Sequence, residues 1–190
     1  LLAACATACS VWAAPVLAAT PDGANFERSI RPDRLLDHAA SLIAEGKLMR
    51  AKAMLDALQN SPAAAALGDE AGNRLWTLRA GVDRQIGAAD RYEMSLQRAE
   101  LALSQDDLVE AERHASAVIR SGSADLAQTE TARALLELTD LRRAEIAPQI
   151  PEAIRLADEA FAKGEYTRAK ELLDRVNRSG VRLDKAQQSS

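Results

Sequence analysis

The stretch FAKGEYTRA, residues 161–169, carries the pattern that decides the fold. Phe161 comes three residues before Gly164, while Tyr166 and Ala169 come two and five residues after it. A glycine can adopt the left-handed conformation that ends a helix without steric cost. The stretch therefore predicts the turn of an αα-hairpin, in which two helices are joined by a short connection.

The same pattern occurs twice earlier in the chain, with Gly46 and Asp106 at the position of Gly164. Residues 35–58, 95–118 and 153–176 share small or apolar side chains at seven offsets from these turns. These side chains are Leu36, Leu96 and Ile154 at −10; Ala39, Ala99 and Ala157 at −7; Ile43, Leu103 and Phe161 at −3; Leu48, Leu108 and Tyr166 at +2; Ala51, Ala111 and Ala169 at +5; Leu55, Ala115 and Leu173 at +9; and Leu58, Val118 and Val176 at +12. Offsets of three, four and seven place them on one stripe of each helix, with the alanines where the two helices cross.

The spacing of the turns, 60 and then 58 residues, leaves room for a third helix after each hairpin. We expect these extra helices at residues 67–86 and 125–146, with Leu75 and Leu135 both 29 residues after their turns. In the same register, residues 183–190 are expected to begin a third extra helix.

The predicted fold class is all-α: a helical-repeat solenoid of about eight helices, in which each αα-hairpin is followed by an extra helix. The repeat domain spans residues 32–190, with units at about 32–89, 90–149 and 150–190, the last one truncated. An aromatic content of 3% disfavours strands. The 47% of hydrophobic residues excludes a wholly disordered chain.

Residues 1–19 are uncharged and mostly apolar, which predicts an N-terminally truncated signal peptide cleaved after Ala18 or Ala19. Residues 20–31 are then a linker, and the chain is expected to be exported to the periplasm or cell envelope. A lipoprotein box ending at Cys5, an uncleaved membrane anchor and a buried helix are the alternatives. Both cysteines, Cys5 and Cys9, lie in this segment, so the mature chain would hold no thiol, no disulfide and no Cys-ligated metal.

The hairpin pattern resembles the tetratricopeptide repeat, with residues 161–169 as the best match. In that family a small residue in the first helix is followed by a turn glycine, a large residue and an alanine in the second helix. The resemblance covers about 75 of the 190 residues, and it departs from the family in period, which is 34 residues there. It implies an array that binds other proteins along the face formed by its first helices.

The inward positions of the first helices are the candidate partner-binding residues under this resemblance. They are Leu36, Ile43, Leu96, Leu103, Ile154 and Phe161. Six exposed apolar side chains would form a large patch for a soluble monomer. We therefore expect the extra helices to pack there, and the alternative is that these residues form a partner site.

No motif for catalysis, cofactor binding or metal binding stands out, so the prediction is no enzymatic activity and no cofactor in this chain. His38 and His114, its two histidines, belong to no ligand cluster, and Asp106-Asp107 is placed to open a helix. The net charge of −4, with both signs interspersed, argues against a nucleic-acid partner. Membrane association is expected only through the signal segment, an anchor or downstream domains.

The sequence favours an exported helical-repeat interaction or scaffold module, forming the N-terminal part of a longer cell-envelope protein. It also resembles, more weakly, the N-terminal helical region of secretins, the ring-forming outer-membrane channels of type II and III secretion systems. The shared features are the export signal, the Gly-x-Tyr-x-x-Ala hairpin and the loop at residues 179–183. That resemblance implies secretion-system or envelope proteins as partners. The alternative is a substrate-positioning domain of an envelope enzyme, such as a cell-wall hydrolase, whose catalytic domain lies outside this chain.

Overall fold

The computed structural model describes residues 32–181. The predicted signal segment (1–19), the linker (20–31) and the predicted start of a third extra helix (183–190) lie outside the described residues. Within residues 32–181 the secondary structure is helical and contains no strand, which confirms the all-α class.

The helices follow one another with short connections. In chain order they are α1 (Pro32–Ala44), α2 (Leu48–Asn60), α3 (Asp69–Ala88), α4 (Arg91–Ser104), α5 (Leu108–Ser121), α6 (Leu126–Ile146), α7 (Ile150–Ala162) and α8 (Tyr166–Ser179). Short 3-10 segments at Pro62–Ala66 and Ala147–Gln149 precede α3 and α7. The helices predicted at 67–86 and 125–146 are present as α3 and α6, with starts shifted by one or two residues.

Three helices, α1, α4 and α7, end in the same backbone turn. The residue predicted at each turn has a positive φ: 74° at Gly46, 55° at Asp106 and 77° at Gly164. The next N–H donates to a carbonyl five residues back, at N···O distances of 2.8, 2.9 and 2.8 Å respectively. This is the Schellman arrangement that satisfies the last carbonyls of a helix. The predicted turn conformation is thus confirmed at all three places.

Small side chains lie at the contacts between the two helices of each hairpin. The six alanines predicted at these crossings are at most 4% exposed, and α1 contacts α2, α4 contacts α5, and α7 contacts α8. They are Ala39, Ala51, Ala99, Ala111, Ala157 and Ala169. A methyl group there lets two helix backbones approach closely.

The third helix packs against the hairpin that precedes it. Leu36 and Leu55 of the first hairpin form one buried cluster with Leu75 and Val82 of α3. A second buried cluster joins Leu96, Ala99, Ala115 and Val118 of the second hairpin to Ala132 and Leu135 of α6. Removing such apolar surface from water is the main favourable term in folding. Each of these two hairpins is therefore stabilised by the helix that follows it.

The turn residue and the facing residue of the third helix change together between the first two units. Asp106 accepts two hydrogen bonds from Arg142 of α6, at 2.7 and 3.1 Å. These bonds, together with one to Glu145, raise the pKa of Arg142 above its ordinary value. The equivalent positions in the first unit are Gly46 and Val82, which is fully buried. The positions of the ion pair in the second unit are thus held by a glycine and a buried valine in the first.

We expect Asp106→Ala to lower the free energy of unfolding by about 1–2 kcal/mol more than Asp106→Gly does. Both substitutions remove the ion pair, which is half exposed and contributes at most about 1 kcal/mol. Alanine in addition must hold the left-handed conformation that glycine adopts freely. Urea unfolding of both variants measures the difference, and equal stabilities would contradict the strained turn.

Ala169→Leu should destabilise the third hairpin by roughly 1–3 kcal/mol, because the larger side chain overpacks a buried crossing. The matched control is Ala162→Leu, at an exposed position of α7, which should change stability by about 0.5 kcal/mol or less. Thermal unfolding followed by circular dichroism compares the two. A mutant at residue 169 that unfolds like the parent chain would show that this alanine is not at the crossing.

Candidate functional site

An open groove of about 800 Å³ lies between α5, α6 and the end of α8. Its charged lining residues are Glu112, Arg113, Arg120, Asp140 and Arg143. Arg143 donates to Glu112 at 2.6 Å, to Asp140 at 2.7 Å and to the carbonyl oxygen of Ser179 at 3.4 Å. The charge of Arg143 is therefore neutralised by two carboxylates of the groove, and Arg143 ties α6 to the end of α8.

Gly180 closes this groove at the end of α8. Its φ is 63°, and a Cβ added to it would lie 3.1 Å from Cγ2 of Val109. Glycine is thus required there for the left-handed conformation and for the close approach of α8 to α5. The groove is best described as the joint between the second and third hairpins.

His114 is the residue after Arg113 on α5, and its side chain is only 16% exposed. Burial and the charge of the adjacent Arg113 lower its pKa, although Glu110 partly opposes the shift. The ring contacts Arg113 at 2.9 Å and lies 3.5 Å from a carboxylate oxygen of Glu110. Glu110 itself accepts hydrogen bonds from Arg113, which lower the pKa of this carboxyl. His114 is therefore a packed residue, and the fold favours the neutral form of its ring.

The outer side of the third hairpin presents a group of exposed apolar side chains. Phe161 is 65% exposed, Tyr166 64% and Leu173 45%, and Ile154 is half-buried. The rings of Phe161 and Tyr166 meet edge to face with their centroids 5.4 Å apart. We call these four residues the α7–α8 face. The contact of the two rings joins α7 to α8, and Ile154 and Leu173 lie seven residues further from the turn on the same two helices.

The equivalent residues of the first two hairpins are covered. Leu36, Leu55 and Leu96 are at most 4% exposed, because α3 and α6 lie over them. Ile43 and Leu103, at the position of Phe161, are half-buried and pack against the same two clusters. The α7–α8 face is therefore the counterpart of surface that the chain buries in the first two units.

The structure places the six predicted partner-binding residues in three different settings. Leu36 and Leu96 lie in the cores, and Ile43 and Leu103 lie at the edges of those cores. Of these six predicted residues, only Ile154 and Phe161 belong to the α7–α8 face. Sequence reasoning did not include Tyr166 and Leu173, although both occupy offsets that were recognised as apolar.

Charged residues next to the covered faces form ion pairs with the third helix. In the first unit Lys52 donates to Asp83 of α3 at 2.6 Å. In the second unit the equivalent residues are Glu112 and Arg143, again at 2.6 Å but with the signs exchanged. The equivalent residue of the third hairpin is Lys170, which is 78% exposed on its side chain and pairs with Asp174 of its own helix.

A second ion pair distinguishes the first unit from the second. Asp56 of α2, which also lies 3.9 Å from Lys52, pairs with Arg79 of α3 at 2.7 Å. The equivalent residues in the second unit are Ser116 and Thr139, which carry no charge. In the third hairpin the position of Asp56 is held by Asp174. The charged edge of the α7–α8 face thus repeats that of the first unit rather than the second.

No group of three or more His, Cys, Asp or Glu side chains in residues 32–181 is arranged to hold a metal ion. No helix within the described residues is long and apolar enough to cross a membrane.

We expect the free energy of unfolding to fall as the pH is lowered through and below 6.5, and His114→Gln to reduce that fall. The unfolded chain takes up a proton on this residue near pH 6.5, whereas the folded chain does so only at lower pH. Urea unfolding between pH 7.5 and 5.5 gives the slopes. His38→Gln, at an exposed position, is the control, and identical slopes for His114→Gln and the parent chain would contradict the assignment.

Comparisons of this chain with protein-family models, curated proteins and solved structures found no match. The resemblances to tetratricopeptide repeats and to secretins stay predictions from the sequence. The functional argument therefore rests on the α7–α8 face and on the contacts between successive hairpins.

Proposed function

We propose that this chain is a helical-repeat scaffold that binds other proteins, and that it acts in the cell envelope. The single observation that carries the proposal is the α7–α8 face, where Phe161, Tyr166 and Leu173 are exposed together. Contiguous exposed apolar side chains on a folded domain mark interaction sites. Scattered apolar residues need no such explanation, but here three exposed apolar residues lie on one hairpin. The rings of Phe161 and Tyr166 are in contact.

The proposal includes a solenoid arrangement, in which each unit contacts mainly its neighbours. Its support is that α4 contacts α2 and α8 contacts α5. Gln97 of α4 adds a polar link to the first turn, because its amide donates to the carbonyl of Gly46 at 2.8 Å and accepts from the N–H of Met49 at 3.2 Å. Such stacks present long surfaces, which suits a docking platform.

The envelope location rests on the sequence of residues 1–19, whose uncharged, mostly apolar composition is typical of a secretory signal. The weaker resemblance to secretins supports secretion-system or other envelope proteins as the partners.

Site-specific photo-crosslinking in the cells from which the sequence comes would test the scaffold function. A photoreactive phenylalanine analogue at residue 161 should give discrete crosslinked products with envelope proteins, identified by mass spectrometry. The same analogue at residue 76 is the matched control, because Trp76 is also aromatic and 73% exposed but lies on α3.

The expected result is a product from residue 161 that is absent from residue 76. No discrete product at residue 161, or the same products from both positions, would overturn the proposed function. Products with cytoplasmic proteins alone would overturn the envelope location and leave the binding function standing.

A further inference from the structure

We propose that the 3-10 segment Ala147–Gln149 is a hinge, about which the α7–α8 hairpin rotates relative to the first two units. We further propose that Arg143 holds the hairpin in the position that the structure shows. The inference goes beyond the proposed scaffold function and does not rest on it. Its basis is a helical break between α6 and α7 beside the open groove, at a joint that differs from the one between the first and second units.

The connection between α3 and α4 contains a turn of the chain. Ala89 and Asp90 have extended backbones there, with ψ of 160° and 134°. Asp90 also caps α4, because its carboxylate accepts hydrogen bonds from the N–H groups of Tyr92 and Glu93 at 2.8 and 3.0 Å. The chain therefore changes direction before α4, and the start of α4 is fixed by its own cap.

The connection between α6 and α7 is two residues shorter and stays helical. The backbone is in the right-handed helical region at four of its positions, which are Ile146, Ala147, Gln149 and Ile150. The two α-helices and the 3-10 segment between them thus form one bent rod. Pro148 lies in this segment and has no N–H to donate to the helix. A 3-10 stretch within a helical rod often marks a hinge, and proline is a common cause of a kink.

Helix α7 lacks the polar link that ties α4 to the first hairpin. The position of Gln97, which bonds to the first turn, is held in α7 by Arg155. Arg155 is exposed and forms ion pairs with Glu152 and Glu159 of its own helix. Among the described residues, α8 rather than α7 is the helix of the third hairpin that packs on α5, whereas α4 packs on α2. The third hairpin is therefore not placed on the second as the second is placed on the first.

Arg143 links the second unit to the end of α8 across this joint. Its three hydrogen bonds are unequal: those to Glu112 and Asp140 measure 2.6 and 2.7 Å, whereas the bond to the carbonyl oxygen of Ser179 measures 3.4 Å. The longest bond is the weakest of the three. Release of α8 therefore leaves both ion pairs of Arg143 in place.

The open groove gives the hairpin room to move. It lies between α5, α6 and the end of α8, with a volume of about 800 Å³. Rotation at the 3-10 segment moves the end of α8 along this groove. The same rotation changes the direction in which Phe161 and Tyr166 point relative to the first two units, because both side chains lie beyond the hinge.

The test measures distances between pairs of spin labels in the 190-residue chain by double electron–electron resonance. The labels are attached to ketone-bearing amino acids, which leaves Cys5 and Cys9 unlabelled. They stand at equivalent exposed positions, residues 44, 104 and 162, which end α1, α4 and α7. The pair 44–104 spans the first joint and the pair 104–162 spans the second. We expect a broader distance distribution for the pair 104–162 than for the pair 44–104.

Three substitutions assign the motion to its parts. Arg143→Gln should broaden the 104–162 distribution further and shift its mean, with no change in the 44–104 distribution. The matched control is Arg142→Gln, because Arg142 pairs with Asp106 and Glu145 inside the second unit; it should leave both distributions as in the parent chain. Pro148→Ala supplies the missing N–H, so the rod should continue as an α-helix and the 104–162 distribution should narrow. Circular dichroism of each variant should match the parent chain.

The contrary results are distinct. Distributions of equal width for the two pairs, unchanged by Arg143→Gln and by Pro148→Ala, would overturn the hinge. A broad 104–162 distribution that Arg143→Gln does not alter, or that Arg142→Gln alters equally, would overturn the role of Arg143. Discrete crosslinks from residue 161 together with a narrow 104–162 distribution would leave the scaffold function standing without the hinge.

Discussion

Every αα-hairpin of this chain has an apolar side that two helices alone cannot bury. In the first two units a third helix covers that side, and Leu36 and Leu96 become core residues only because α3 and α6 lie over them. The third hairpin has the same apolar offsets without such a cover among residues 32–181. The arrangement of cores, exposed patches and joints in the described chain follows from this one requirement.

Much of the fold could be predicted from spacing alone. Gly46, Asp106 and Gly164 were recognised as equivalent turns, and all three have left-handed backbones and the same hydrogen bonds. The reason is local: a Schellman turn requires a residue that tolerates positive φ, and the apolar offsets on each side report helical periodicity. Helices α3 and α6 were predictable because the distance between turns exceeded the length of a hairpin.

The candidate site could not be predicted in the same way. The burial of Leu36 in the first unit and the exposure of Phe161 in the third depend on whether a third helix covers the hairpin. The apolar offsets that the three hairpins share do not reveal whether that helix is there. The sign exchange between Lys52–Asp83 and Glu112–Arg143 is likewise invisible until the pairs are seen across two helices. Both charged residues of each pair can be read from the sequence, but which residues pair with each other is visible only in the tertiary structure.

That sign exchange has a consequence for how the units assemble. If α3 and α6 traded places, Lys52 would face Arg143 and Glu112 would face Asp83, so each exchange would set like charges against each other. Asp106 would also lose Arg142 and face Val82. Two units that share an apolar pattern are thereby distinguished by charge. The charges contribute little to stability, but they favour the pairing of each hairpin with the helix that follows it in the chain.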